Sequence, residues 1–304
     1  MKVFFHIGYP RTGSTFIQKY LFEKHSEINY LGPKYYDLNF KPYLTDTKML
    51  EINNLKTDKE INLINSNSIF ADLNLDKKKI NLISSEKFLT FGINYYQNLD
   101  KIKKLIELQN KEVVFKVFFV IRNQYDAIKS YYHHAFSEIS ERFKIKDFNE
   151  LLKFNKSERN TYNEELNFID NYHYDITLKK LKNSFDEKNI KIFLYEELYK
   201  NKSNFSQNIS NFLMINSFET KKLLNNDPIN ELITEKDKIL IHKIYFSKIH
   251  RIYTLLKLKK IIPKFLRDFI KKIFTKKVDY KITNHQKNEF KKIFKKSNLI
   301  LQND

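Results

Sequence analysis

Gly8-Tyr9-Pro10-Arg11-Thr12-Gly13-Ser14-Thr15 decides how this chain is read. An apolar, strand-like run, Val3-Phe4-Phe5-His6-Ile7, leads into it, and a helix-like stretch from Phe16 to Lys24 leads out. Strand, glycine-bounded turn and Ser/Thr at a helix start form the arrangement that cradles phosphate. Backbone N–H groups converge on the anion and the helix dipole favours its charge. The spacing is that of a phosphate-binding loop, G-x-x-x-x-G-K-[ST], with one departure. Ser14 stands in the lysine position, and Arg11 is the loop's one cation. A loop that holds phosphates but lacks the lysine for a γ-phosphate points to a nucleotide that is not a triphosphate.

Composition bounds the rest. The 304 residues suit one large domain, or one domain with an appendage, and 41% hydrophobic residues suffice for a core. Glycine is rare, at 4, so a pair bracketing one turn stands out. Cysteine is absent, which excludes disulfides, thiolate nucleophiles and Cys-ligated metal and fits a reducing cytosol. No stretch reaches the ~18 uncharged apolar residues of a membrane span. The first seven residues are too short for a signal-peptide core. The chain is therefore expected to be soluble and cytoplasmic. Its net charge is +19, and from Arg251 onward 16 Lys/Arg face 4 Asp/Glu. Such a surface favours anionic partners, although solubility and compositional bias give the same numbers.

Three further apolar runs read as buried parallel strands: Ile80 to Ser84, Val113 to Ile121 and Ile190 to Leu194. Each precedes a helical pattern. That alternation predicts an α/β fold, a parallel sheet flanked by helices, with ligands at the carboxyl ends of the strands. One domain over residues 1–304 is expected, its core about 1–215, with a basic helical extension over about 228–304. Tyr35 to Phe70 reads as an Asn-rich insertion, and Lys144 to Asn171 as helical cover. Lys236 to Phe274 has helical apolar spacing. Within it, Ile261 to Phe274 has the pattern of a helix lying on an anionic membrane or packing on the domain.

Chemistry-bearing residues follow the strands. Val113 to Ile121 ends in Arg122, where a Mg-dependent phosphate-loop enzyme usually places an Asp for the metal. Ser130 lies eight residues on, along a helix starting near Gln124, and an Arg with a Ser hydroxyl makes a second anion site. The alternative is an Arg at a strand end and a Ser on a solvated face. Two phosphate sites without a metal carboxylate suggest a nucleotide phosphorylated at both ends of its ribose. Leu82-Ile83-Ser84-Ser85-Glu86-Lys87 puts Glu86 just past a strand, where a carboxylate can take a proton from an acceptor hydroxyl or simply charge a helix start. Tyr195-Glu196-Glu197-Leu198 follows the last strand. His25, His173, His242, His250 and His285 show no ligand spacing. His133 and His134 follow the Tyr131-Tyr132 pair on the helix after Arg122.

These segments, in this order, resemble the sulfotransferase family that uses 3′-phosphoadenosine 5′-phosphosulfate. Pro10-Arg11-Thr12-Gly13-Ser14-Thr15 is similar to that family's phosphosulfate loop, P-K-[ST]-G-[ST]-[ST], and Arg122 with Ser130 to its 3′-phosphate motif. Tyr195-Glu196-Glu197-Leu198 resembles its Y-E-D-hydrophobic segment, where the Tyr lies near the adenine. Glu86 stands where the family places its base. The opening His6-Ile7-Gly8 and the closing Ser297-Asn298-Leu299 look like bacterial members. The resemblance spans roughly Lys2 to Met214 and implies a donor held by Arg11, Thr12, Gly13, Ser14, Thr15, Arg122, Ser130 and Tyr195, with Glu86 and Arg11 catalytic and no metal. The departure is Arg11, where Lys is usual. Tyrosyl-protein sulfotransferases resemble this chain there, and Arg stabilises a leaving phosphate without donating a proton. The implied acceptor is a hydroxyl, on a carbohydrate or glycolipid. Contact with anionic membrane through the basic C-terminal region is the expected further partner, and nucleic acid is not expected. The rivals are a phosphate-loop kinase, which needs a Lys where Ser14 stands, and a non-catalytic binder of nucleic acid or membrane.

Overall fold

The computed structural model describes residues 1–34, 51–52, 54–55, 57–63, 74–85, 88, 95–110, 112–132, 169, 172–225, 239–242, 275–278 and 283–303. The chain divides into two compact units. The first comprises Met1–Ala127, Tyr162–Ile229 and Phe294–Asp304, and the second Ile128–Thr161 and Asn230–Ile293.

In the first unit five strands form one sheet: β1 (Lys2–Ile7), β2 (Ile28–Tyr30), β3 (Ile80–Ser85), β4 (Val114–Ile121) and β5 (Ile190–Leu194). Their order is β2-β3-β1-β4-β5, and every pair is parallel. Parallel strands buried on both faces read as continuous apolar runs, which is why four of the five stand out in the sequence. Only β2, the three-residue edge strand Ile28-Asn29-Tyr30, is too short to leave a pattern.

The side-chain period of two sorts β1 between two cores. Phe4 and His6 face one way. Phe4 meets the Phe212 ring at 5.7 Å, and the His6 ring lies 5.0 Å from Phe118 and 5.3 Å from Phe22. This core is closed by a helix beginning with α1 (Ser14–Ile17), by α6 (Tyr195–Lys200) and α7 (Lys202–Leu213), and by α8 (Ser217–Leu224). Phe5 faces the other way, against Phe88, Phe115 and Phe185. There α3 (Tyr95–Gln109) buries Leu99, Ile102 and Ile106, and α5 (Tyr174–Ser184) buries Leu178 and Leu181. Lys103 joins the two helices: its Nζ donates to the Ser184 carbonyl and lies 4.5 Å from the Phe185 ring centre. Truncating a buried Phe of this kind to Ala costs about 3–5 kcal/mol, so the phenylalanine-rich composition is itself the source of the core. A short helix, α2 (Asp58–Leu63), completes the elements N-terminal to β3.

The helix over residues 124–132, α4, follows β4 and runs from the first unit into residues assigned to the second. The second unit holds a two-stranded antiparallel sheet, β6 (Ile239–His242) with β7 (Thr275–Val278). Residues 239–242 are therefore extended, not part of the helix expected over Lys236 to Phe274. Ile239-Leu240-Ile241 suits a strand, and four apolar-rich residues cannot separate the two periodicities. The last element is α9 (Asn284–Asn303). Among the described residues no helix is long and apolar enough to cross a membrane. The amphipathic segment Ile261 to Phe274 lies outside the described residues. So do residues 35–50 and 64–70 of the Asn-rich insertion, and nearly all of Lys144 to Asn171.

Candidate functional site

Because all five strands are parallel, their carboxyl ends share one edge of the sheet. Across β3, β1, β4 and β5 that edge presents the ends Ser85, Ile7, Ile121 and Leu194 side by side. The segments singled out in the sequence are the ones that follow. Glu86 and Lys87 come directly after Ser85 in the chain but lie outside the described residues, as do His133 and His134.

The loop after β1 is anchored at entry, where Gly8 N–H donates to the Ser85 carbonyl at 3.1 Å. Its backbone then alternates: φ is +65° at Arg11, not positive at Thr12, and +84° at Gly13. Left-handed residues on either side of one that is not left-handed turn the chain sharply, the kind of alternation from which anion-binding nests are built. Gly13 tolerates its φ because it has no Cβ, whereas Arg11 holds it as a strained non-glycine residue. Gly13 is needed twice over, since a Cβ there would stand 3.2 Å from the Tyr195 ring and 3.3 Å from Leu198.

The loop hydroxyls serve its shape. Thr12 Oγ1 donates to the Tyr9 carbonyl at 2.9 Å, and Ser14 Oγ to the same carbonyl at 3.1 Å; both residues are buried. Their protons are thus spent inside the loop. The helix begins at Ser14, with Phe16 and Ile17 N–H both donating to the Gly13 carbonyl. Ser14 and Thr15 sit in its first turn, where N–H groups have no intrahelical partner. After one α-turn it widens into a π-turn over Gln18–Phe22, with Glu23 N–H reaching back five residues to the Gln18 carbonyl. Such turns recur at functional sites.

Three tyrosines hold the loop: Tyr9 within it, and Tyr172 and Tyr174, which the sequence pattern did not mark, against it. Tyr9 is fully buried, its hydroxyl hydrogen-bonded to Thr177, and Tyr172 donates to the Pro10 carbonyl at 3.0 Å. Tyr174 donates to the Arg122 carbonyl at 2.9 Å and accepts from the Arg122 N–H at 3.3 Å. Burial pushes the Tyr174 phenol well above its ordinary range, although its backbone hydrogen bond with Arg122 opposes this, so it stays a neutral donor. The one trace in the sequence is the Tyr172-His173-Tyr174 alternation just before a helix.

Arg122 comes to the loop as well as to the end of β4. It is 8% exposed; Nη1 donates to the Arg11 carbonyl at 3.0 Å, and the guanidinium carbon lies 4.3 Å from the Tyr195 ring centre. Arg11, Gly13, Arg122 and Tyr195 thus form one assembly. Tyr195 walls the loop with its ring and packs 4.6 Å from the Tyr199 ring. Burial, reinforced by a hydrogen bond with Tyr195, raises the Tyr199 phenol far above its usual range. Next to Tyr195, Glu196 accepts from the Asn123 N–H at 2.9 Å. Ser130 is half-buried in α4, among residues grouped with the second unit.

Behind the loop His6, Ser84 and Gln18 form a buried polar link. His6 Nδ1 lies 2.7 Å from Ser84 Oγ, which also accepts from Gln18 Nε2 at 2.8 Å. Desolvation lowers the His6 imidazole to about 3, so it is neutral, and its buried Nε2 has no hydrogen-bond partner. Among the described residues no group of His, Asp and Glu is placed to hold a metal.

No family model matches the chain, and no curated protein matches it. Solved structures do match. A sulfotransferase from Alicyclobacillus acidocaldarius is 15% identical with a TM-score of 0.46, covering 84% of this chain and 95% of that one. The sulfotransferase domain of the Synechococcus PCC 7002 olefin synthase is 16% identical with a TM-score of 0.45, covering 79% and 84%. A mouse sulfotransferase complexed with PAP is 13% identical with a TM-score of 0.45, covering 97% and 83%.

Proposed function

We propose that this chain moves a sulfuryl group from 3′-phosphoadenosine 5′-phosphosulfate to a hydroxyl on a carbohydrate or glycolipid. The observation that carries the reading is the curled loop at Arg11–Gly13, set before a helix start, with Arg122 bonded to its carbonyl and Tyr195 closed against its glycine. These residues suit a phosphate: a turn with left-handed residues at Arg11 and Gly13 before a helix start, one loop cation, and a second cation just past the neighbouring strand. A kinase reading is disfavoured by Ser14, which stands in the lysine position and spends its proton on the Tyr9 carbonyl.

In this reading the N–H groups of Thr12 to Thr15 hold the 5′-phosphosulfate. Arg122, with Ser130 on the strength of the sequence pattern, selects the 3′-phosphate. Glu86 takes the acceptor proton as the acceptor oxygen bonds to sulfur. The bond from sulfur to the bridging phosphate oxygen breaks, and its electron pair leaves with the nucleotide. Arg11 and the loop N–H groups stabilise that growing charge, and fixed donors of this kind act most strongly where charge develops.

Calorimetry with 3′-phosphoadenosine 5′-phosphate and with adenosine 5′-phosphate tests the nucleotide assignment. The former should bind more tightly, by roughly 2–5 kcal/mol if Arg122 contacts its 3′-phosphate in a desolvated pocket. Equal affinities would remove the central assignment. Transfer of labelled sulfate across a panel of sugars, glycolipids and phenols then tests the reaction. Glu86→Gln should leave nucleotide affinity intact and lower turnover about 10²–10⁴-fold.

A further inference from the structure

The last helix, α9, carries charge that the sulfuryl-transfer reading does not use. Its inner stripe is Gln286, Phe290, Phe294 and Ser297, all buried. At 3.6 residues per turn, Lys287, Lys291 and Lys295 climb an adjoining face as one row, and Lys292 and Lys296 as the next. All five are exposed. Leu299 follows Lys295 by four residues, which sets it between the rows, and it is 51% exposed. Ile300 follows Lys296 by four and is 40% exposed.

A merely solvated helix face usually mixes signs, so that residues four apart attract. Here residues four apart repeat the same sign, and Glu289 is the helix's one acid. That arrangement opposes the helix in water and is relieved against a negative surface. The face also carries apolar tips among the cations, which are of no use to a phosphate backbone but enter the boundary between lipid headgroups and acyl chains. It holds no Arg, the residue whose fork reads phosphates one by one. Flexible point charges around a leucine suit a diffuse sheet of anionic headgroups. We propose that the lysine face of α9, with Leu299 and Ile300 at its crest, lays this protein onto an anionic lipid bilayer.

The full chain is sedimented with phosphatidylcholine vesicles, with and without phosphatidylglycerol, at low and high salt. Binding is expected only with phosphatidylglycerol, falling as salt rises. Each lysine near such a surface adds about fivefold, so Lys291→Gln with Lys295→Gln should weaken partitioning about 25-fold. The Arg pair at the same positions should retain it. The chain has no Trp, so Leu299→Trp introduces a single reporter whose emission should shift to the blue on vesicles. Undiminished binding by the Gln pair overturns the proposal, and so does a reporter whose emission stays that of water. Tighter binding to duplex DNA than to the anionic vesicles at the same salt overturns it too. None of these outcomes bears on sulfuryl transfer, which is scored separately with the sugars and phenols of the acceptor panel.

Discussion

At Gly13 two constraints meet in one residue: a left-handed backbone and a tyrosine ring where a side chain would begin. Gly13→Ala should therefore cost about 1–3 kcal/mol of stability, through φ strain and crowding against Tyr195, and should weaken nucleotide binding with it. Urea unfolding and calorimetry on the same variant check both, and an unchanged pair of values would show that the loop shape is not held here. Arg11→Gly should behave oppositely. Relief of a left-handed non-glycine residue, about 1–2 kcal/mol, is offset by the backbone entropy of glycine, about 0.5–1 kcal/mol. Its unfolding midpoint should hardly move while transfer falls steeply, which a thermal melt and a turnover assay separate. The loop residues themselves were legible from spacing alone. What Tyr195 and Arg122 do to them was not, because the hydrogen bond from Arg122 to Arg11 spans 111 residues of chain. Residue types forecast an anion site, while only the sheet order shows that its second cation is fastened to the first loop.

Between elements, the His6–Ser84–Gln18 link joins β1, β3 and the π-turn that follows α1, just beneath the site. Its histidine sets a pH dependence whose sign is fixed. The imidazole sits near 3 in the fold against an ordinary 6.5, so the fold binds fewer protons than the unfolded chain between those values. His6 contributes its full stability above about pH 6.5 and loses it progressively as pH falls toward 3, at up to about 1.4 kcal/mol per pH unit. Urea midpoints measured from pH 7 to pH 4 should fall more steeply for the wild type than for His6→Asn. Parallel slopes would mean that the acid sensitivity comes from carboxylates. The strands on either side of this link were read nearly to the residue: Ile80 to Ser84 against β3 at Ile80–Ser85, and Val113 to Ile121 against β4 at Val114–Ile121. Long buried runs announce themselves. β2, with three residues, and β6, with four, are defined by their partners more than by their own pattern.

Across the whole molecule the net charge of +19 works against compactness. Screening this self-repulsion with sodium chloride should raise the melting midpoint, most of all below about 0.15 M, where the screening length exceeds ~8 Å. A midpoint that falls with salt would show that local ion pairs outweigh the global repulsion. The α/β class was legible because strand and helix patterns alternate. The grouping of residues 128–161 with 230–293, while 162–229 belong to the first unit, joins stretches distant in the chain that no run of sequence marks as partners. The sheet order carries a further consequence, for synthesis. β1 lies at the centre, yet its partners stand far along the chain: Val3 pairs with Asn81 in β3, and Lys2 with Val114 in β4. β1 has no partner in the sheet until β3, about 80 residues further along, has left the ribosome; it is not flanked on both sides until β4 has followed, and Tyr195, which walls the loop, comes later still. At 5–20 residues per second the wait is roughly 4–16 s for β3 and roughly 10–40 s for Tyr195. Until its partners arrive Val3-Phe4-Phe5 is an exposed apolar segment, the kind a chaperone holds, and pairing so distant is slow to form even afterwards. The strand at the centre of the sheet is made before either of its neighbours.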